Sequence, residues 1–181
     1  LRSTMSATDA AKYDNIAACM DVLNVYMGIF ATDMYGDIPF TEACMARYGG
    51  TLTPKFDRVH DLYRLWLKTL DSAIATFTTS TNQTFTTTQD VVYNGDMTKW
   101  AKLANSIKLK IAVRLLVQDK DTALAIANAV GAANCGVLNG SSDDFLFNKA
   151  NAVTNNDGDV AYHWNNTFLT GTAASQRVVN F

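Results

Sequence analysis

Between Asp96 and Gln118 the chain runs DMTKWAKLANSIKLKIAVRLLVQ, its longest stretch free of glycine and proline that keeps helical spacing throughout. Trp100, Leu103, Ala104, Ile107, Ile111 and Leu115 recur so as to line one face of a helix turning every ~3.6 residues. Ala101, Lys108 (by its stem), Ala112 and Leu116 form a second stripe that widens this face, and Lys99, Lys102, Lys110 and Arg114 occupy what remains. A helix apolar over so wide an arc packs between other helices rather than lying on a surface. The spacing therefore predicts the central helix of an all-α layer.

The other segments fit that frame. Asp14 to Tyr35 reads as a first helix, with Ile16, Met20, Leu23, Met27, Phe30 and Met34 alternating steps of four and three as its seam, broadened by Val22, Val25 and Ile29. Gly36 sits where a left-handed residue ends a helix, and Pro39 forces Ile38 into extended backbone, so the helix cannot resume. Ile38 and Phe40 are expected to tuck against helix ends. After a loop at 48–56, Asp57 reads as the N-cap of a second helix, Arg58 to about Phe77, with Tyr63 and Trp66 packing on the first. The threonine-dense segment 78–89 favours loop or extended structure. Asn94-Gly95 is a turn pair, Asp96 caps the central helix, and Asp121 reads as the cap of a shorter one, Thr122 to Val130, ended by Gly131. Leu124, Ala127, Ala129 and Val130 form its packing face. Residues 133–181 are turn-rich with aromatic islands, and the chain stops mid-pattern, as a truncated chain would. The expected organisation is an all-α scaffold of antiparallel helical hairpins over 10–132 and an irregular, loop-rich segment over 133–181.

With 181 residues the chain can bury one sizeable core, and a net charge of −2 gives no electrostatic footprint for nucleic acid or an anionic membrane face. No apolar run is read as reaching the roughly 18 residues of a membrane span. Leu1 to Asp9 carries no pattern of an export signal and no acylatable cysteine. Cys19, Cys44 and Cys135 are widely spaced without a CxxC pair, which favours free thiols over a metal site while leaving one disulfide open.

Candidate chemistry is sparse. His60 and His163 lie far apart, neither at ligand spacing, and no nucleophile elbow or phosphate loop is present. Asp33, Asp37 and Glu42 could form an acid/base set, but carboxylates beside a stiff turn commonly hold exposed amides. Asn155 to Asp159 has the composition of a calcium loop, yet its glycine comes one place early and Asn166 stands where a bidentate Glu belongs. No metal or cofactor is expected. The candidate ligand-binding residues are Tyr162, His163, Trp164 and Asn165, followed by Asn166. Aromatic faces beside amides suit sugars, whose C–H faces stack on rings while hydroxyls seek groups that both donate and accept. The competing reading is that Trp164 plugs a core beneath a long loop.

Four ordered blocks carry a family resemblance. They are Thr32 to Ala43 (TDMYGDIPFTEA); Thr53 to Asp57 with Leu70 to Ile74; Asp90 to Asp96 leading to Lys99-Trp100; and Ala104 to Arg114 (ANSIKLKIAVR). Together they resemble the SusD/RagB-like family of outer-membrane nutrient-binding lipoproteins of Bacteroidetes. Phe56 stands where the family more often has Tyr, and Lys110 where it more often has Arg. Family members are also much longer, and their export signal, lipidated cysteine and most of the C-terminal half have no counterpart in this sequence. The resemblance implies a tetratricopeptide-like helical array bearing an irregular ligand-binding subdomain. It further implies capture of an oligosaccharide or other nutrient at the outer-membrane cell surface, and delivery to a SusC-like TonB-dependent transporter. No bond is broken in that role, so no catalytic residue is assigned and the chain is not expected to be an enzyme. Contact with the membrane would run only through a lipid anchor. The alternative is a helical protein–protein adaptor without its own small-molecule site; a glycosidase would need paired carboxylates about 5–10 Å apart in a cleft.

Overall fold

Helix follows helix along the computed structural model, which describes residues 5–81, 83–84 and 90–146. The chain divides into residues 1–146 and 147–181, and all described residues lie in the first unit. A short helix α1 (Ala7–Ala11), not expected from the sequence, precedes α2 (Asp14–Tyr35), α3 (Val59–Thr79), α4 (Met97–Leu115) and α5 (Lys120–Ala132). The fold is all-α. Each of α3 to α5 packs on the helix before it, and α4 also touches α2. An isolated antiparallel bridge, Ile38 to Asp57, pins the connector between α2 and α3.

The central helix is as expected. Trp100, Leu103, Ala104, Ile107, Ile111 and Leu115 are all buried, together with Ala101, Lys108 and Ala112. Leu116 is the exception: it lies one residue past the last helical turn and is about half exposed. Lys108 Nζ reaches Asp71 at 2.6 Å, so the buried stem ends on a carboxylate. Asn105, wholly buried mid-helix, donates to the carbonyls of Val130 and Gly136, tying α4 to the end of α5 and to the segment beyond it.

On α2 the buried face differs from the expected seam. Ala18, Cys19, Val22, Val25 and Ile29 are buried, whereas Met20, Met27, Phe30 and Met34 are 58–60% exposed. This helix is apolar nearly all round, so periodicity alone cannot choose its inner face; α3 and α4 choose it by where they sit. The close approach is set at Gly28, where an added Cβ would lie 2.6 Å from Cζ2 of Trp66. By length and composition α2 does reach the threshold for a membrane span, contrary to the sequence expectation, but its inner face packs on α3 and α4 as a core helix does.

Helix ends also depart from expectation in instructive ways. Asp119, not Asp121, caps α5 by accepting from the Thr122 N–H at 3.1 Å. Gly131 does not stop α5, which continues to Ala132 and buries Ala123, Ile126 and Val130 while leaving Leu124 half exposed. Helix α3 runs two residues beyond Phe77. There the hydroxyls of Thr76, Thr78 and Thr79 donate back to carbonyls three or four residues earlier, which lets threonine continue a helix it would otherwise disfavour. Asp96 caps α4 as expected, accepting from Thr98 and Lys99. All three cysteines are free.

Candidate functional site

The connector from Gly36 to Arg58 brings three helix ends together, and its geometry follows from an exchange of two aspartates. Gly36, at φ +74, ends α2 and turns the chain. Asp57 does not cap α3. Its carboxylate reaches back to accept from the N–H groups of Phe40 (3.0 Å) and Thr41 (2.7 Å) and from the Thr41 hydroxyl. The start of α3 is held instead by Asp37, whose Oδ1 accepts from the Val59 N–H at 2.9 Å. The Asp57 N–H donates to the Ile38 carbonyl at 2.9 Å and closes the exchange. Ile38 and Phe40 pack against the core as expected, the Phe40 ring meeting Trp66 edge-on at 5.2 Å.

Beside this connector opens a cleft of about 520 Å³, lined by Asp37 of the connector, by Arg58, Val59 and His60 at the start of α3 with Tyr63 one turn on, and by Arg114 and Leu115 at the end of α4 with Gln118 just beyond it. Arg114 is fixed from below: Nε donates to Asp33 at 2.6 Å, a second N–H of the guanidinium also bonds that carboxylate, and a third bonds the Lys110 carbonyl. The guanidinium beside Asp33 holds its carboxyl below the usual carboxylate range. A general acid requires the opposite shift. Burial pushes the Tyr63 hydroxyl above its ordinary pKa, so it stays protonated.

The three carboxylates singled out in the sequence therefore have separate partners. Asp33 holds Arg114, Asp37 holds a backbone amide, and Glu42 accepts from the Lys55 N–H at 3.1 Å with the Lys55 ammonium at 3.5 Å. His60 sits in the first turn of α3, its side chain 43% exposed, with Asp61 4.0 Å away. Among the described residues no group of three or more His, Cys, Asp or Glu side chains could hold a metal ion. Tyr162, His163, Trp164 and Asn165, the Asn166 that follows them, and the Asn155 to Asp159 loop lie outside the described residues.

Sequence reading gave no role to Asp90. It is 3% exposed and accepts four bonds, from the N–H groups of Val92, Tyr93 and Gly95 and from Trp100 Nε1. An aspartate four residues before the Asn94-Gly95 turn pair, with a tryptophan ten residues on, was the available signal.

Over residues 1–180 the sequence matches the SusD-like family, described as starch-binding and associating with the outer membrane. The chain belongs to the SusD-like family. Solved structures agree. A SusD-like protein of Bacteroidetes AC2a is 34% identical, aligned over 76% of this chain and 25% of its own length with a TM-score of 0.63. A SusD homologue from Parabacteroides distasonis is 27% identical over 90% of this chain and 30% of its own, with a TM-score of 0.69. A chitin-binding protein is 32% identical over 73% of this chain and 27% of its own, with a TM-score of 0.63. This SusD-like chain thus spans between a quarter and a third of the length of these relatives. No curated protein matches it.

Proposed function

We propose that this chain is part of a glycan-binding protein that works at the outer-membrane surface. It captures an oligosaccharide or other nutrient and passes it to a SusC-like TonB-dependent transporter. The observation that carries the reading is the match across nearly the whole chain to a family described as starch-binding and associated with the outer membrane, with a chitin-binding protein among the similar structures. Residues 10–132 serve as the helical scaffold and 133–181 as the ligand-binding part, with Tyr162, His163, Trp164 and Asn165 contacting sugar by ring stacking and amide hydrogen bonds. The role is binding and delivery, without bond cleavage; the fixed, separately partnered carboxylates Asp33, Asp37 and Glu42 are consistent with that.

Calorimetry of the full-length protein against starch- and chitin-derived oligosaccharides tests the reading. Saturable binding that weakens at least tenfold in Trp164→Ala is the expected result. Silence across all saccharides, with binding to peptides instead, would overturn the ligand class. The exposed apolar seam of α2 favours a second reading, a protein–protein adaptor. That reading requires co-purification with the transporter barrel whether or not sugar is present.

A further inference from the structure

We propose that the cleft between the end of α4 and the start of α3 binds a sugar acid, taking the carboxylate on Arg58 and the ring against Val59. The inference rests on the glycan-binding reading above and names a ligand class and a site within it. The cleft's volume of about 520 Å³ is that of a small-molecule site. Its lining carries one guanidinium with no carboxylate partner, Arg58, and that group rather than a net positive charge is what would take an anion. Asp37 is committed to the Val59 amide and Asp33, just behind the wall, to Arg114. Arg58 lines the cleft and is exposed, and its guanidinium has no hydrogen-bond or ion-pair partner among the described residues. His60 has Asp61 only at 4.0 Å, beyond hydrogen-bond range.

The remaining donors suit a polyol that carries a carboxylate. A guanidinium has five N–H donors; Arg114 spends one each on two Asp33 oxygens and one on the Lys110 carbonyl, which leaves two. Gln118 both donates and accepts, as sugar hydroxyls require. The planar fork of Arg58 matches a carboxylate in two-point geometry. Val59, part-exposed, supplies an apolar contact for the C–H face of the ring. Arg58 is also dispensable for the fold: it stands at the N-cap of α3 but makes no side-chain capping bond.

Isothermal titration of the full chain with glucuronate, glucose, inorganic phosphate and a neutral chito-oligosaccharide tests the proposal, in wild type and in Arg58→Gln. Glucuronate is expected to bind at least tenfold tighter than glucose or phosphate, and to lose at least tenfold in Arg58→Gln at an unchanged unfolding midpoint. Glucose or phosphate binding as tightly as glucuronate overturns it, as does an Arg58→Gln variant that binds glucuronate normally. Binding of the chito-oligosaccharide without glucuronate ends this proposal and leaves the glycan reading standing. Silence toward every saccharide ends both.

Discussion

Asp90 takes three backbone N–H groups and the Trp100 indole N–H on two oxygens, at 2.7–3.1 Å, in a site sealed from water. Hydrogen bonds to a charged group contribute about 1.5–3 kcal/mol each, and a donor left buried without a partner costs about 1–3 kcal/mol. Asp90→Ala is therefore expected to destabilise the chain by about 3 kcal/mol or more in urea unfolding. Asp90→Asn is no conservative change, because its NH₂ would face two donors; a loss of about 2 kcal/mol follows. An Asn variant as stable as wild type would sink this account. Asp57 supplies the pH dependence. The N–H groups of Thr41 and Phe40 hold its carboxyl below the usual range, as the Arg114 guanidinium does for Asp33. A depressed folded pKa gives stability that is complete above the unfolded value, near 3.9, and is lost as pH falls through the folded value. Asp57→Asn should accordingly flatten the decline of the melting temperature below about pH 4. An acid limb as steep as that of wild type would place the dependence elsewhere.

At the scale of the helix, position was legible in the sequence and orientation was not always so. The face of α4 could be read because lysines and Arg114 mark its outer side, leaving one apolar arc. On α2 two apolar stripes compete, Met20-Leu23-Met27-Phe30-Met34 and Val22-Val25-Ile29, with too little charge to separate them. Packing decided for the second, through the contact of Gly28 with Trp66. Caps failed for a related reason. Asp57 lies two residues before α3 but Asp37, 22 residues ahead of Val59, accepts its amide, and Asp119 and Asp121 both flank the start of α5; only three-dimensional reach shows which carboxylate takes the helix N–H. The orientation of α2 makes a direct prediction. Ile29→Ala, at 0% exposure, should cost about 2–5 kcal/mol, while Met27→Ala, at 59%, should stay within about 0.5 kcal/mol. Equal losses in a denaturant titration would mean that both stripes are covered.

Across the whole unit the helices stack in chain order, so α5 touches the rest chiefly through α4. A linear array divides its stability into local terms and neighbour terms, and its end element opens first. Asn105 is the neighbour term that can be isolated. Its amide bonds the Val130 carbonyl at 3.2 Å and the Gly136 carbonyl at 2.8 Å, closing the last turn of α5 and the following segment onto α4. Ser106 reinforces this one residue on, accepting from the Leu138 N–H at 2.9 Å, and Lys102 pairs with Asp143 at 2.8 Å. The segment from 133 to 146 is thus fastened along α4 by polar bonds as well as by Val137, Leu138 and Phe145 against the core. Asn105→Ala removes the bonds to both carbonyls and leaves them buried. Hydrogen exchange should then quicken in Ala123–Val130 and at Leu138, while amides in the middle of α2 and α3 keep their protection. Uniform acceleration through all four long helices would instead show that the array opens as a single cooperative block, with α5 no more separable than the core of α2.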